Sequence, residues 1–267
     1  MVSLKRVAQE CLGLSGTISV DRDVYGYIFR DSDDRLFGQL LTASDIPPSE
    51  APERLPDTLP GTGQPTDRSL RQHLQSIKGK SINLSILMIG YDDFSGDDTL
   101  DDLTKVQYAI QIARDLYVQA DLGIRRIFWS RRSVAEAGDF TEIADKDEAE
   151  ALTDAFSGDD NDGIDVFWVR MITGAGGFCN EEGPCEKDSS DGLTGVVIEL
   201  NRRRRRTGIL LAHELGHYLG LPGGSSLTNI MGMAQPGQPD DLQDVSTEIT
   251  SSQAADMRDH CFVRPAC

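Results

Sequence analysis

The chain has 267 residues, 39% of them hydrophobic and 6% aromatic, enough for one large domain or two modest ones with a substantial core. Its formal charge of −18 excludes a general nucleic-acid binder, because phosphate binding rests on a basic surface. No apolar run is long enough to span a bilayer, and the N-terminal MVSLKRVAQECLGLSG lacks the apolar core and cleavage signature of a signal peptide.

Residues 1–43 contain a short helical pattern, then GTISV and VYGYIF, which have β-strand composition and turn-rich flanks. The stretch 43–69 carries six of the chain's eleven prolines. Proline removes a backbone donor and blocks ladder pairing, so this stretch reads as a linker or an extended wrap. The division expected is therefore an N-terminal segment, 1–80, and a main domain, 81–267.

Within the main domain strands and helices alternate. SINLSILMIGY (81–91) is a short β-branched, apolar run and predicts a strand. The next segment, 99–121, places Leu103, Val106, Ile110, Ile112, Ala113 and Leu116 at helical spacing. Its opening Thr99, Asp101 and Asp102 put negative charge at the helix N-terminus, where the dipole favours it. GIRRIFWS (123–130) predicts a strand, DEAEALTDAF (147–156) a helix, and GIDVFWVRMI (163–172) a third strand. TGAGGFCN is glycine-rich and suits an edge segment, and TGVVIEL (194–200) is a further strand leading into a helix. Such alternation implies βαβ crossovers, so an α/β fold with a mostly parallel twisted sheet.

Three side features give competing readings. FSGDDNDGIDV resembles a calcium loop, but with Gly163 at the required glycine, positions one and twelve fall on Gly158 and Val169 instead of carboxylates. The EF-hand reading fails, and the choice is between an irregular calcium site and a solvated polar turn. NRRRRR (201–206) reads as a solvated run paired with neighbouring carboxylates on so acidic a chain. Cys179 and Cys185, and likewise Cys261 and Cys267, are spaced to close small loops; the expected disulfides are Cys179–Cys185 and Cys261–Cys267, in an oxidising compartment, with Cys11 left over.

GILLAHELGHYLG (208–220) carries the chemistry. Leu211, Leu215 and Leu219 share one helical face, and His213 and His217 stand one turn apart, so both imidazoles can reach one metal ion. Glu214 lies about 100° around the helix from His213, beside such an ion, where it can take a proton from a bound water and pass it to a leaving amine. With four histidines in the chain, this spacing around a glutamate is improbable by chance.

Gly220 ends the motif HELGHYLG, and eleven residues later Met231 follows within TNIMGM. This resembles the metzincin zinc metallopeptidases, and the matrixin-like branch best. The resemblance covers roughly 81–262 and includes the late helical pattern SSQAADMRDH. It implies a metzincin-like sheet with an edge strand and two or three long helices, the second bearing the motif. A small C-terminal subdomain would follow the methionine turn. It further implies that His213 and His217 bind zinc, that Glu214 is the general base and acid, and that Met231 floors the site. The glycine-rich segment 174–177 would hold an extended peptide by strand addition. The partner expected is a peptide or protein substrate, with no nucleic acid and no membrane, in a secreted or extracytoplasmic setting.

One position departs from the pattern. The third histidine of the family motif falls on Gly223, which has no side chain to bind metal. Another residue could supply the ligand, from Asp240, Asp241, Asp244 or His260, or from Glu248 in a thermolysin-like arrangement. Alternatively two histidines and waters hold the ion, or catalysis is lost and a protein-binding module remains. Some metzincins stay latent through a cysteine ahead of the catalytic domain; Cys11 is the candidate here, without the flanking residues of the matrixin switch.

Overall fold

A computed structural model describes residues 24–26, 41–42, 79–92, 97–158, 161–187, 192–200, 204–224, 226–232, 242 and 244–265. Most of the N-terminal segment, Cys11 included, lies outside the described residues, as do Asp240, Asp241 and Cys267. Two short strands, β1 (Val24–Gly26) and β2 (Leu41–Thr42), pair antiparallel, and β1 packs on the first long helix.

The main domain then runs β3 (Lys80–Ile89), α1 (Asp97–Tyr117), β4 (Leu122–Arg132), the single-turn α2 (Val134–Ala137) and β5 (Glu142–Ile143). It continues through α3 (Lys146–Phe156), β6 (Ile164–Val169), β7 (Met171–Ile172), β8 (Gly177–Phe178) and β9 (Gly195–Glu199) to α4 (Arg204–Tyr218) and α5 (Ser251–Asp259). Five strands form one sheet in the order β4-β3-β6-β9-β8. The first four are mutually parallel, and only β8, at the edge, runs antiparallel to its neighbour. The fold is mixed α/β, as the alternation predicts.

Side-chain alternation explains why both faces of this sheet are covered. Ile82, Leu84, Ile86 and Met88 of β3, with Ile164, Val166 and Trp168 of β6 and Val196 and Ile198 of β9, enter one core with α1, α4 and α5. Leu87, Ile89, Phe167, Val169 and Val197, one residue out of phase, enter a second core with Ala149 and Leu152 of α3. Strands buried on both faces read as continuous apolar runs, which is how they appear in the sequence.

Helix α4 lies deep in the larger core. Tyr117 of α1 donates from its hydroxyl to the Ala212 carbonyl at 2.8 Å. A Cβ on Gly208 would stand 2.6 Å from Cβ of Ile112, so a glycine here permits the close approach of α1 and α4. The expected run 163–172 is interrupted: β6 ends at Val169, and β7 leaves to pair with β5 in a separate two-stranded sheet.

The disulfide expectation is corrected. Cys185 bonds to Cys261, 76 residues away, and Cys179 is a free thiol. Spacing along the chain suggested small loops, but the 179–187 segment folds across the end of α4 and meets the chain just beyond α5. Glu182 N–H donates to the His217 carbonyl at 2.9 Å, Gly183 N–H to that of Tyr218 at 2.8 Å, and the Tyr218 hydroxyl to Pro184 at 3.0 Å. Tertiary contact set the pairing.

Candidate metal centre on helix α4

The termination of α4 shapes the site. Gly220 has φ +93°, and Gly220 N–H bonds to His217 O at 2.8 Å while Leu221 N–H bonds to Gly216 O at 3.0 Å. These paired bonds make a Schellman stop, which needs a left-handed residue and therefore favours glycine. The reversal turns the Leu221 carbonyl back onto the helix, where it accepts from His217 Nδ1 at 2.7 Å.

His213 has the same kind of anchor. Its Nδ1 meets the Ile230 carbonyl at 2.7 Å. A carbonyl oxygen can only accept, so both Nδ1 atoms carry the proton and both Nε2 atoms keep a lone pair in the neutral ring. The rings stand edge to face with centroids 4.5 Å apart. Burial lowers the His213 pKa to about 4; the neighbouring His217 adds to the shift and the bond to Ile230 opposes it. His217 is lowered too, chiefly by burial, against the opposing effects of its bond to Leu221 and of Glu181. Anchored Nδ1, free Nε2 and neutrality are what a metal-binding imidazole requires.

Met231 is fully buried. A Cβ on Gly216, between the two histidines, would stand 2.8 Å from Met231 Sδ, so methionine and helix are in tight contact. The turn bearing Met231 is pinned on several sides. Asn229 and Gln253 exchange side-chain amide bonds of 2.8 and 2.9 Å, Met231 N–H donates to Asn229 Oδ1 at 2.9 Å, and Ile230 N–H donates to Glu248 O at 2.8 Å. The helix, the turn after it and the methionine turn therefore form one unit, closed by Gly224 N–H on the Met231 carbonyl at 2.7 Å.

Glu214 is buried under the edge strand. A Cβ on Gly177 of β8 would lie 2.8 Å from Glu214 Cγ and 2.9 Å from its Oε1, and the Cys179 thiol donates to its Oε2 at 3.1 Å. Among the described residues, β8 is the last strand on its side of the sheet.

The third position and its substitutes fall elsewhere. Gly223 is exposed, and it is not among the glycines with positive φ. His260 turns its Nε2 to the Gly183 carbonyl at 3.0 Å and stacks on Phe262. Glu248 accepts from the Thr228 hydroxyl at 2.7 Å, and Asp244 is exposed beside Arg205, which donates to its carbonyl at 3.2 Å. Among the described residues, no three His, Cys, Asp or Glu side chains come together in a way that could hold a metal ion.

The acidic turn before β6 is served by protein cations. Lys187 Nζ meets Asp165 at 2.8 Å and Asn161 Oδ1 at 3.2 Å, while Asp162 accepts from Asn83 at 2.8 Å and faces Arg264 at 3.6 Å. Asp159 and Asp160 lie outside the described residues. Sequence reading missed Lys187 and Cys179 as partners of this turn and of Glu214, since each acts on a residue more than twenty positions away.

No protein-family model matches the chain, and no curated protein matches it. Among solved structures the chain is similar to metalloproteinase-II from Bacteroides fragilis, with 11% identity and a TM-score of 0.40. That likeness covers 68% of this chain and 53% of the other, so the chain spans about half the length of the structure it matches.

Proposed function

We propose that this chain is a zinc-dependent endopeptidase of metzincin-like fold, acting on extended segments of peptide or protein. One observation carries the reading: His213 and His217 have Nδ1 fixed on backbone carbonyls and Nε2 left as a lone pair, with Glu214 on the same helix beneath β8. The donor set fits zinc through two imidazoles, which is one short of the three protein ligands common in catalytic sites.

When bound, zinc supplies Lewis acidity and an acidified water. His213 and His217 would hold the ion, and their anchored Nδ1 atoms stop the rings from turning away. Glu214 accepts the proton of the attacking water and returns it to the departing amine. The backbone of β8 aligns the substrate by strand addition, and Met231 keeps the helix and its following turn in register. The proposed domain spans 81–267, preceded by the segment 1–80, and Cys185–Cys261 supports an oxidising, extracytoplasmic location.

The exposed glycine at position 223 favours a second reading, a catalytically impaired protein-binding module on the same fold. One experiment separates the two. Zinc is measured in protein purified without chelator, and hydrolysis of unfolded protein substrates is followed with and without a hydroxamate. Glu214→Ala should abolish hydrolysis and leave zinc content nearly unchanged. Equal activity in that variant removes Glu214 as the base, and zinc-free, inactive native protein leaves the binding module.

A further inference from the structure

We infer that Cys179 is a positioning residue for Glu214, its thiol holding the carboxylate in the orientation from which it moves protons. This rests on the peptidase reading above.

The geometry comes from strand alternation. β8 ends at Phe178 and Cys179 follows it directly; Gly177 and Cys179 both lie beside Glu214, and Phe178 faces the other side. Accordingly Cys179 packs against the core that contains α4, while Phe178 packs against the core on the opposite face. A Cβ at Gly177 would stand 2.9 Å from Glu214 Oε1, so the glycine leaves room for the carboxylate, and the Cys179 thiol donates to Oε2 at 3.1 Å. One carboxylate oxygen thus lies beside position 177 and the other accepts from position 179. A larger side chain at 177 would push the carboxylate out of place.

The chemistry of this cysteine suits a donor and not a nucleophile. Burial raises its pKa, and the neighbouring Glu214 raises it further, so the sulfur keeps its proton. Its nearest cysteine in sequence, Cys185, is committed to Cys261. A disulfide at Cys179 would remove the only hydrogen that the sulfur can donate. The bond is a weak one, so the expected effects are modest.

The test uses the full chain and two independent readouts. Cys179→Ala and Cys179→Val should each lower kcat about fivefold with KM little changed, because a donor to the base is lost and the peptide edge is not. Cys179→Ser retains a hydroxyl donor and should recover most of the rate. Infrared difference spectra supply the second readout: the S–H stretching band that vanishes in Cys179→Ser should move to higher wavenumber in Glu214→Ala. Native rates in Cys179→Ala, a serine variant as slow as the valine one, or an unmoved S–H band would each overturn the proposal. A native chain that hydrolyses nothing refutes the peptidase reading, and the positioning role falls with it whatever the band does.

Discussion

The metal-free protein should lose stability on mild acidification through His213 in particular. Its folded pKa is about 4 against an ordinary 6.5, because burial disfavours the imidazolium. Above pH 7 both folded and unfolded chains carry it neutral. Between pH 6.5 and about 4 the unfolded chain binds a proton that the folded chain refuses, so stability falls as pH falls across that window. At pH 5 the two constants give a loss of about 2 kcal/mol, rising to about 3 kcal/mol below pH 4. Against a total of roughly 5–15 kcal/mol for a domain, that is a large share. The assay is urea unfolding with chelator present, at pH 7.5 and pH 5.0, for the native chain and His213→Gln. Glutamine keeps an N–H donor for the Ile230 carbonyl but cannot take up a proton. Carboxylates titrate alike in both proteins and cancel in the comparison. The native chain should lose about 2 kcal/mol more than the variant over this interval. Equal losses would refute a buried, neutral His213.

Other substitutions probe the surroundings. Gly216→Ala gains about 1 kcal/mol of helix propensity but places Cβ 2.8 Å from buried Met231 Sδ, so a net loss of about 1 kcal/mol is expected. That loss should shrink in a Met231→Ala background, and an unchanged cost would deny the contact between helix and methionine. Gly223→His carries no left-handed strain and sits at an exposed place, so stability should move by less than about 0.5 kcal/mol while calorimetric zinc affinity rises. Unchanged, tight affinity in both forms would point to a donor outside 211–232. Replacing Cys185 and Cys261 by serine removes a link between residues 76 apart, expected to cost about 4 kcal/mol in thermal or urea unfolding. Non-reduced peptide mapping that shows Cys179 joined to Cys185 would overturn this pairing.

Much of the architecture was legible in one dimension because its causes are local. The runs at 81–91 and 194–200 are apolar on both faces, as parallel strands between two cores must be, and each appears as a strand. Gly220 marked the end of the motif helix because only a residue tolerant of positive φ closes a Schellman stop cheaply. The one-turn spacing of His213 and His217 fixed that both rings would share a helical face. What the sequence could not supply were partners brought in from elsewhere. Ile230 and Leu221 carbonyls set the histidine tautomers, and nothing in HELGH announces them. Cys179 looked like half of a small loop, yet the chain just after β8 places it on Glu214 and leaves Cys185 to Cys261. Lys187 reaches a turn that read as a bare acidic loop. Periodicity and helix stops depend on a few neighbouring residues, so composition and spacing determine them. Tautomer, disulfide choice and ion pairing depend on which distant segments the sheet brings within about 3 Å of one another, and only the tertiary structure decides that.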